Sequence, residues 1–463
     1  MIANNANYIF HVRDWNVEFF LHLAEHIRSS FEEVNIQFWT MQLSAADALT
    51  ESEAAVVYLP KAFESEPYEL DDVSRLDKSF AERGMKGLAV LYGLERFKPA
   101  PEQAEEFIAR QAVWFERNTP PESIMVGLTL EHFCYICSAQ INLCKGGENY
   151  FPIPMGFPID GVALHKTPWE MNYFREDPLP VEIIDQYTES LKHPPEVTIN
   201  YMKKQKFPSL LKSMSLNLKL FCFRFRILKT FGYLEPSATL KIPTRMEFKK
   251  IKFDGQYFDL ERLKKLSQGC QLFYYPLQFE PEMSILAYSP FYREQIEMIR
   301  LVSEAINLGD WLVLKENPKM HGRRSASFYE SVMEFPNVIW AHPDCNSRDL
   351  IRISSKVVTI SGTAAVEAAT LGRSSLLFGH LPSASLLYQP PVVEQPLQHL
   401  KRSLYTIPNS KEILAHLNEQ WKSFSKCILI GNYLPAYNGE RTTTQNTEEL
   451  AEEFFNEVFA TDK

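Results

Sequence analysis

The chain has 463 residues, 45% of them hydrophobic and 23% charged, and a formal net charge of −10 at pH 7. That length exceeds one ordinary core and predicts two domains of roughly 150 to 250 residues, while the balanced composition excludes wholesale disorder and a multispanning membrane protein. The acidic total argues against nucleic acid as a partner, and seven cysteines, an odd number scattered along the chain, fit reduced thiols in the cytosol.

The opening residues, MIANNANYIFHVRDWN, have no basic stretch leading into an apolar run and a small-residue cleavage site, and no segment offers about 18 uncharged apolar residues. Export and membrane spanning are therefore not expected. YIFHV (8 to 12), the polar turn RDWN and the helically spaced FFLHLAEHI read as strand, loop, helix. The same alternation continues at VNIQFW (34 to 39), AAVVYLP (54 to 60), GLAVLYGL (87 to 94) and IMVGLTL (124 to 130), which predicts a parallel sheet covered by helices. Cys134 and Cys137 form a CxxC without a second pair at zinc spacing, so a packed helical face outweighs a metal or redox use and no metal is expected.

Residues 151 to 200 are rich in proline, which removes backbone donors, and predict a loop-rich boundary. Residues 203 to 252 carry thirteen Lys and Arg against two acids, Glu235 and Glu247, interleaved with apolar residues. Such a segment suits an anionic membrane surface or, equally, a solvated basic helix at a domain junction. From residue 271 the alternation resumes with QLFYYPL, a helix around 291 to 307, WLVLKENP (311 to 318), NVIWAHP (337 to 343), KVVTISG (356 to 362), a helix at 364 to 371, SSLLFG (374 to 379) and a strand near LYTIP. The tail TEELAEEFFNEVF places Leu450, Phe454, Phe455 and Phe459 on one face of a closing helix. The division expected is 1–200, a basic connector 201–265, a second α/β domain 266–435 and the closing helix 436–463.

In open α/β sheets ligands sit at the carboxyl ends of the strands. Three such loops in the second half carry useful chemistry. After KVVTI, the turn Ser361, Gly362, Thr363 offers hydroxyls, close backbone approach and free amides for phosphate, and Glu367 lies one turn on, where a carboxylate can accept from ribose hydroxyls. Lys315, with Arg323 and Arg324 after a turn, supplies positive charge for a phosphate or sugar carboxylate. FYYPLQFEPE places Gln278 and Glu280 just after a strand. A capped helix and a solvated basic turn are the bland alternatives.

In order, the segments YYPLQFEPE, VLKENPKMHGRR with SFYESVMEFPNVIWAHP, and VVTISGTAAVEAATLGRSSLLFG resemble the capsule polysaccharide biosynthesis family, whose members include bacterial transferases of 3-deoxy-D-manno-octulosonic acid (Kdo). GGENYFPIPMGFPIDGVALH resembles it more faintly. The resemblance implies a GT-B-like fold: two doubly wound Rossmann-like domains facing a central cleft, with a C-terminal closing helix. It implies a cytoplasmic glycosyltransferase, peripheral at the inner membrane, that takes a sugar from a nucleotide donor, CMP-Kdo or another CMP-linked acidic sugar, to a glycan or lipid-linked acceptor without a further cofactor.

The nucleotide and phosphate contacts implied are Gln278, Lys315, Asn317, Pro318, Arg323, Ser361, Gly362, Thr363 and Glu367. The catalytic carboxylate implied is Glu148 or, second, Asp160, in a stiff irregular loop, with Asp14 and Glu131 as fallbacks. Two positions depart from the family pattern. Many relatives have His where this chain has Asn317, which can donate a hydrogen bond but carries no charge. The Kdo enzymes have two acids in succession, whereas Glu148 is followed by Asn149 and Tyr150. The alternatives are a GT-B sugar-nucleotide epimerase or hydrolase, distinguished by turnover that ignores acceptor, and a non-catalytic capsule-assembly subunit, distinguished by failure to bind nucleotides.

Overall fold

The computed structural model describes residues 6–95, 101–127, 132–155, 161–167, 169–192, 257–280, 282–289, 291–317, 320, 324–388, 397–430 and 444–460. They form two compact α/β units, one holding residues 6–177 and 426–460 and the other 178–192 and 257–425. The chain changes unit between Asp177 and Pro178, inside the proline-rich stretch, and again between Ser425 and Lys426. The basic segment 203 to 252 lies outside the described residues.

The first unit contains β1 (Asn7–Val12), β2 (Asn35–Thr40), β3 (Val56–Tyr58), β4 (Ile124–Gly127), β5 (Glu148–Met155), β6 (Gly161–Thr167), β7 (Glu170–Met171) and, returning at the end, β14 (Ile428–Ile430). β3-β2-β1-β4-β5 pair in parallel, and β5 then turns back into an antiparallel extension of β6, β7 and β14. Tyr8 to Val12 are all buried because a parallel sheet is covered on both faces, which is why the strand reads as a continuous apolar run. On one face Tyr8 and Phe10 pack with Phe19, Phe20 and Leu23 of the helix Val17–Ser30 and with Phe454 and Phe455 of the helix Thr444–Val458. All four apolar residues expected to close the fold are buried there. On the other face Trp114 of the helix Ala104–Asn118 meets Trp39 edge-on and Phe115 stacks on it, with centroids 5.1 and 5.6 Å away.

The second unit is a six-stranded, wholly parallel sheet: β8 (Tyr257–Phe258), β9 (Leu272–Pro276), β10 (Trp311–Lys315), β11 (Val338–Ala341), β12 (Lys356–Thr359) and β13 (Ser375–Leu377), in the order β13-β12-β9-β10-β11-β8. Alternate residues of β9 serve two cores, Phe273 and Tyr275 one side, Leu272 and Tyr274 the other. Strand order reverses between β9 and β12, as it does between β1 and β4 in the first unit, so each sheet has one switch point at which a crevice opens beyond the carboxyl ends.

Three expected elements differ. GLAVLYGL forms the helix Leu88–Gly93, because Leu88 and Leu91 are buried while Ala89 and Val90 are exposed, a helical and not an alternating pattern; Asp77 Oδ1 accepts from Leu88 N at 2.6 Å and fixes its start. The strand near LYTIP is instead the end of the helix Leu397–Tyr405, whose Leu400 and Leu404 enter the core. Among the described residues the proline-rich boundary holds strands and a helix: Pro152 and Pro154 sit two apart in β5, opposite Leu164 and Val162, at a stretch where β5 has left β4, so their missing N–H groups interrupt no parallel ladder. No helix among the described residues is long and apolar enough to cross a membrane.

Candidate functional site

At the switch point of the second unit, Gln278 follows β9 and stands beside the turn that follows β12. Its backbone is clamped: Gln278 N donates to Gln295 Oε1 at 2.8 Å, and Gln295 Nε2 donates back to Gln278 O at 3.2 Å. With its oxygen facing the turn, the Gln278 carboxamide accepts from Ser361 N at 2.9 Å and Gly362 N at 2.7 Å. A Cβ on Gly362 would lie 2.7 Å from Thr359 Oγ1 and 3.3 Å from the Gln278 carboxamide, so only glycine lets these strands' ends approach so closely. Ser361 Oγ donates to Ser284 O. Thr363 is the N-cap of the helix Ala364–Thr370, without a side-chain cap bond of its own.

One strand over, at the end of β10, the chemistry is ionic. Lys315 is 7% exposed, and burial lowers its ammonium pKa against the opposing pull of Cys345, Glu316, Glu367 and Asp344. Burial raises the Glu367 carboxyl, opposed by Arg348, Lys315 and a hydrogen bond with Thr363. Arg348, at the start of the helix Ser347–Ile353, is lowered by burial and held up by Glu367. Lys315 and Arg348 therefore each act on Glu367 across the ends of three successive βα loops.

Arg324 does something different from the phosphate contact that its basic turn implies. It is buried, donates from Nε to Glu316 Oε2 at 2.9 Å, and reaches Glu280 and Gln278 O with its other nitrogens. Glu316 also accepts from Tyr329 Oη at 2.8 Å and Asn317 N at 2.7 Å. The guanidinium is thus committed to tying the β9 and β10 loops together. Among the expected contacts, the structure brings Gln278, Ser361, Gly362 and Thr363 to one loop pair and Lys315, Asn317 and Glu367 to its neighbourhood; Pro318 and Arg323 lie outside the described residues. The sequence does not single out Gln295, Glu316 and Arg348 as site residues; Glu316 and Arg348 follow strands β10 and β11, and Gln295 opens the helix Gln295–Ala305.

In the first unit Glu148 begins β5 opposite Ile124, the first residue of β4, with Tyr150 Oη donating to its Oε2 at 2.8 Å. That is the amino edge of the sheet, and β5 and β6 are strands where an irregular loop was expected. Asp160 and Glu131 are outside the described residues. The carboxyl edge carries another set. Asp14 follows β1, its backbone N donating to Gln42 Oε1 at 2.9 Å. Buried His132 pairs through Nδ1 with Glu95 Oε1 at 3.0 Å, while Glu95 Oε2 accepts from Phe133 N at 2.8 Å. His11 is wholly buried, held near pKa 3 by desolvation, and meets Ser138 Oγ at 2.9 Å, which marks it as a neutral core residue. Cys134 and Cys137 are buried and their thiols pushed upward, mainly by desolvation. Among the described residues no His, Cys, Asp and Glu group is arranged to hold a metal.

A family model described as "Capsule polysaccharide biosynthesis protein" matches residues 176–382. No curated protein matches the chain. Among solved structures it is similar to Thermosulfurimonas dismutans KpsC, beta Kdo 2,7 transferase, at TM-score 0.32 and 14% identity over 84% of this chain and 97% of that one. It is also similar to a glycosyltransferase from Rickettsia africae ESF-5, at TM-score 0.30 and 8% identity over the whole of both chains. A third is the S. aureus MnaA-UDP co-structure, at TM-score 0.27 and 10% identity over 91% and 93%. At these scores the fold rests on the strand orders of the chain itself.

Proposed function

We propose that this chain, a member of the capsule polysaccharide biosynthesis family over residues 176–382, is a nucleotide-sugar-dependent glycosyltransferase of capsule or surface polysaccharide synthesis. The observation that carries the reading is the switch point of the second unit, where Gln278 and the Ser361–Thr363 turn meet, with Glu367 on the helix that the turn opens and Lys315 one strand over. A buried ammonium suits phosphate, and a carboxylate one helical turn after the loop suits ribose hydroxyls. A CMP-linked acidic sugar is the donor, by the motif resemblance, and a glycan or lipid-linked glycan the acceptor.

Titration with CMP and UDP tests this. Lys315→Ala and Glu367→Ala are each expected to weaken nucleotide binding about tenfold or more with the fold intact, the scale of a charge-assisted hydrogen bond. Parent-like affinity in both variants overturns the placement of the site. For the transfer step, the amino-edge position of Glu148 supports Asp160, the second candidate, over Glu148 as the essential carboxylate. Asp160→Asn is then expected to slow transfer at least about 100-fold at unchanged nucleotide affinity, and Glu148→Gln to leave it near the parent rate. Slow transfer by Glu148→Gln alone reverses that order. Parent-like transfer in both would favour a different carboxylate, and nucleotide binding without any transfer would favour the non-catalytic subunit.

A further inference from the structure

The turn after β12 is where a phosphate would ordinarily be placed, on free backbone amides. In this protein two of those amides, Ser361 N and Gly362 N, are occupied. Gln278, itself 7% exposed, offers one oxygen to both Ser361 N and Gly362 N, and Gly362 N is also 3.1 Å from Thr359 Oγ1. Both main-chain groups of Gln278 are fixed, by the reciprocal Gln295 carboxamide and by Arg324. The carboxamide is therefore held in place from its base, and the Ser361 and Gly362 donors are satisfied from inside the unit. At the neighbouring strand end the opposite holds: Lys315 is a residue more than nine-tenths buried, and its ammonium makes no hydrogen bond or ion pair among the described residues, although Glu316 and Glu367 are within electrostatic reach. Glu316 is already saturated by Arg324, Tyr329 and Asn317 N. A buried cation with donors to spare is incomplete until an anion arrives.

We propose that Gln278 seals the Ser361–Gly362 turn from within, so that a ligand's phosphate is held at this edge by the Lys315 ammonium and not by the amides of that turn. Gln278 is then a positioning residue and Lys315 the anion contact. The inference rests on the nucleotide reading above for the ligand's identity, and the seal itself rests on the free protein alone.

The first arm of the test is amide hydrogen exchange of the ligand-free chain. Ser361 and Gly362 amides are expected to be protected in the parent and to lose that protection in Gln278→Ala; fast exchange in the parent overturns the seal. The second arm titrates UDP, CMP, the corresponding nucleosides and inorganic pyrophosphate. The affinity that phosphate adds over the nucleoside is expected to fall about tenfold or more in Lys315→Met and to stay within about threefold of the parent in Gln278→Ala. A purely structural lysine would leave that difference unmoved. Gln278→Ala changing the phosphate increment by tenfold while Lys315→Met does not would return the phosphate to the turn and overturn the proposal. Should Gln278→Ala fail to fold, Gln278→Glu keeps both acceptor bonds and serves in its place: protection is retained and melting stays close to the parent. Failure of the parent to bind any of these ligands overturns both the Lys315 subsite and the proposed function, while the exchange arm still decides the seal.

Discussion

Arg324 sits between two carboxylates and a carbonyl, with its ring-facing side 4.9 Å from Phe328. Arg324→Met keeps the bulk and removes the charge, leaving Glu316 and Glu280 without their cation. Breaking a buried pair from one side costs about 3–5 kcal/mol, so a large drop in the denaturation midpoint of the second unit is expected; an unchanged midpoint would refute the tying role. Lys356 offers a test with a sign. It is fully buried, its Nζ donates to Thr406 O at 2.7 Å and to Ser403 O, and desolvation lowers it from 10.5 to about 7. Between those two values the unfolded chain holds the proton that the folded chain has released, so this group's contribution to stability rises with pH, by about 1.4 kcal/mol per unit. Unfolding free energies of the parent and Lys356→Met, compared at pH 7 and 9, should diverge in the parent's favour as pH rises. A flat or inverted difference excludes it. Neither residue could be assigned this role from sequence: a lysine opening a strand and an arginine in a basic turn look alike until the carbonyls and carboxylates around them are placed.

Short elements show where sequence patterns run out. The helix Phe133–Cys144 begins without a cap from its own N-cap residue, His132; Glu95, far away in the chain, accepts from Phe133 N and pairs with the His132 ring. Glu95→Ala is expected to destabilise the first unit by about 2 kcal/mol or more, the loss of a charge-assisted cap at a buried site, and Glu95→Gln by clearly less, since an amide oxygen still accepts. Equal effects would mean that charge, not acceptance, matters there. The longer parallel strands are legible in the sequence because Phe10, Phe38, Val313 and Val358 belong to short, mainly apolar segments bounded by polar ones. Leu88–Gly93 was not, since six apolar residues fit a buried strand or a buried helical turn equally well, and the deciding contact, Asp77, is distant in sequence. The same limit affected the site. In the sequence the strand-end loops of the second unit single out Gln278, Lys315 and the Ser361–Thr363 turn, whereas the prolines that follow Glu148 mask the strand it begins.

At the scale of the molecule, the first unit is assembled from both ends of the described chain, with the second unit inserted between Asp177 and Lys426. Phe454 lies 6.0 Å from Phe19 between ring centroids and is fully buried. Phe454→Ala should therefore lower the stability of the unit that contains β1, by about 3–5 kcal/mol, while nucleotide binding to the second unit persists. Loss of nucleotide binding together with an unaffected first unit would contradict that assignment. The interruption also dictates a timetable on the ribosome. Residues 1–177 emerge first, yet the aromatic surface of Phe19 and Phe20 has to wait for Phe454, and at 5–20 residues per second that delay is roughly 15–60 s. The inserted unit finishes synthesis sooner and can fold during the wait. The unit that starts earlier is completed later, with its greasy face open to chaperones and to neighbouring nascent chains until the helix Thr444–Val458 has left the exit tunnel.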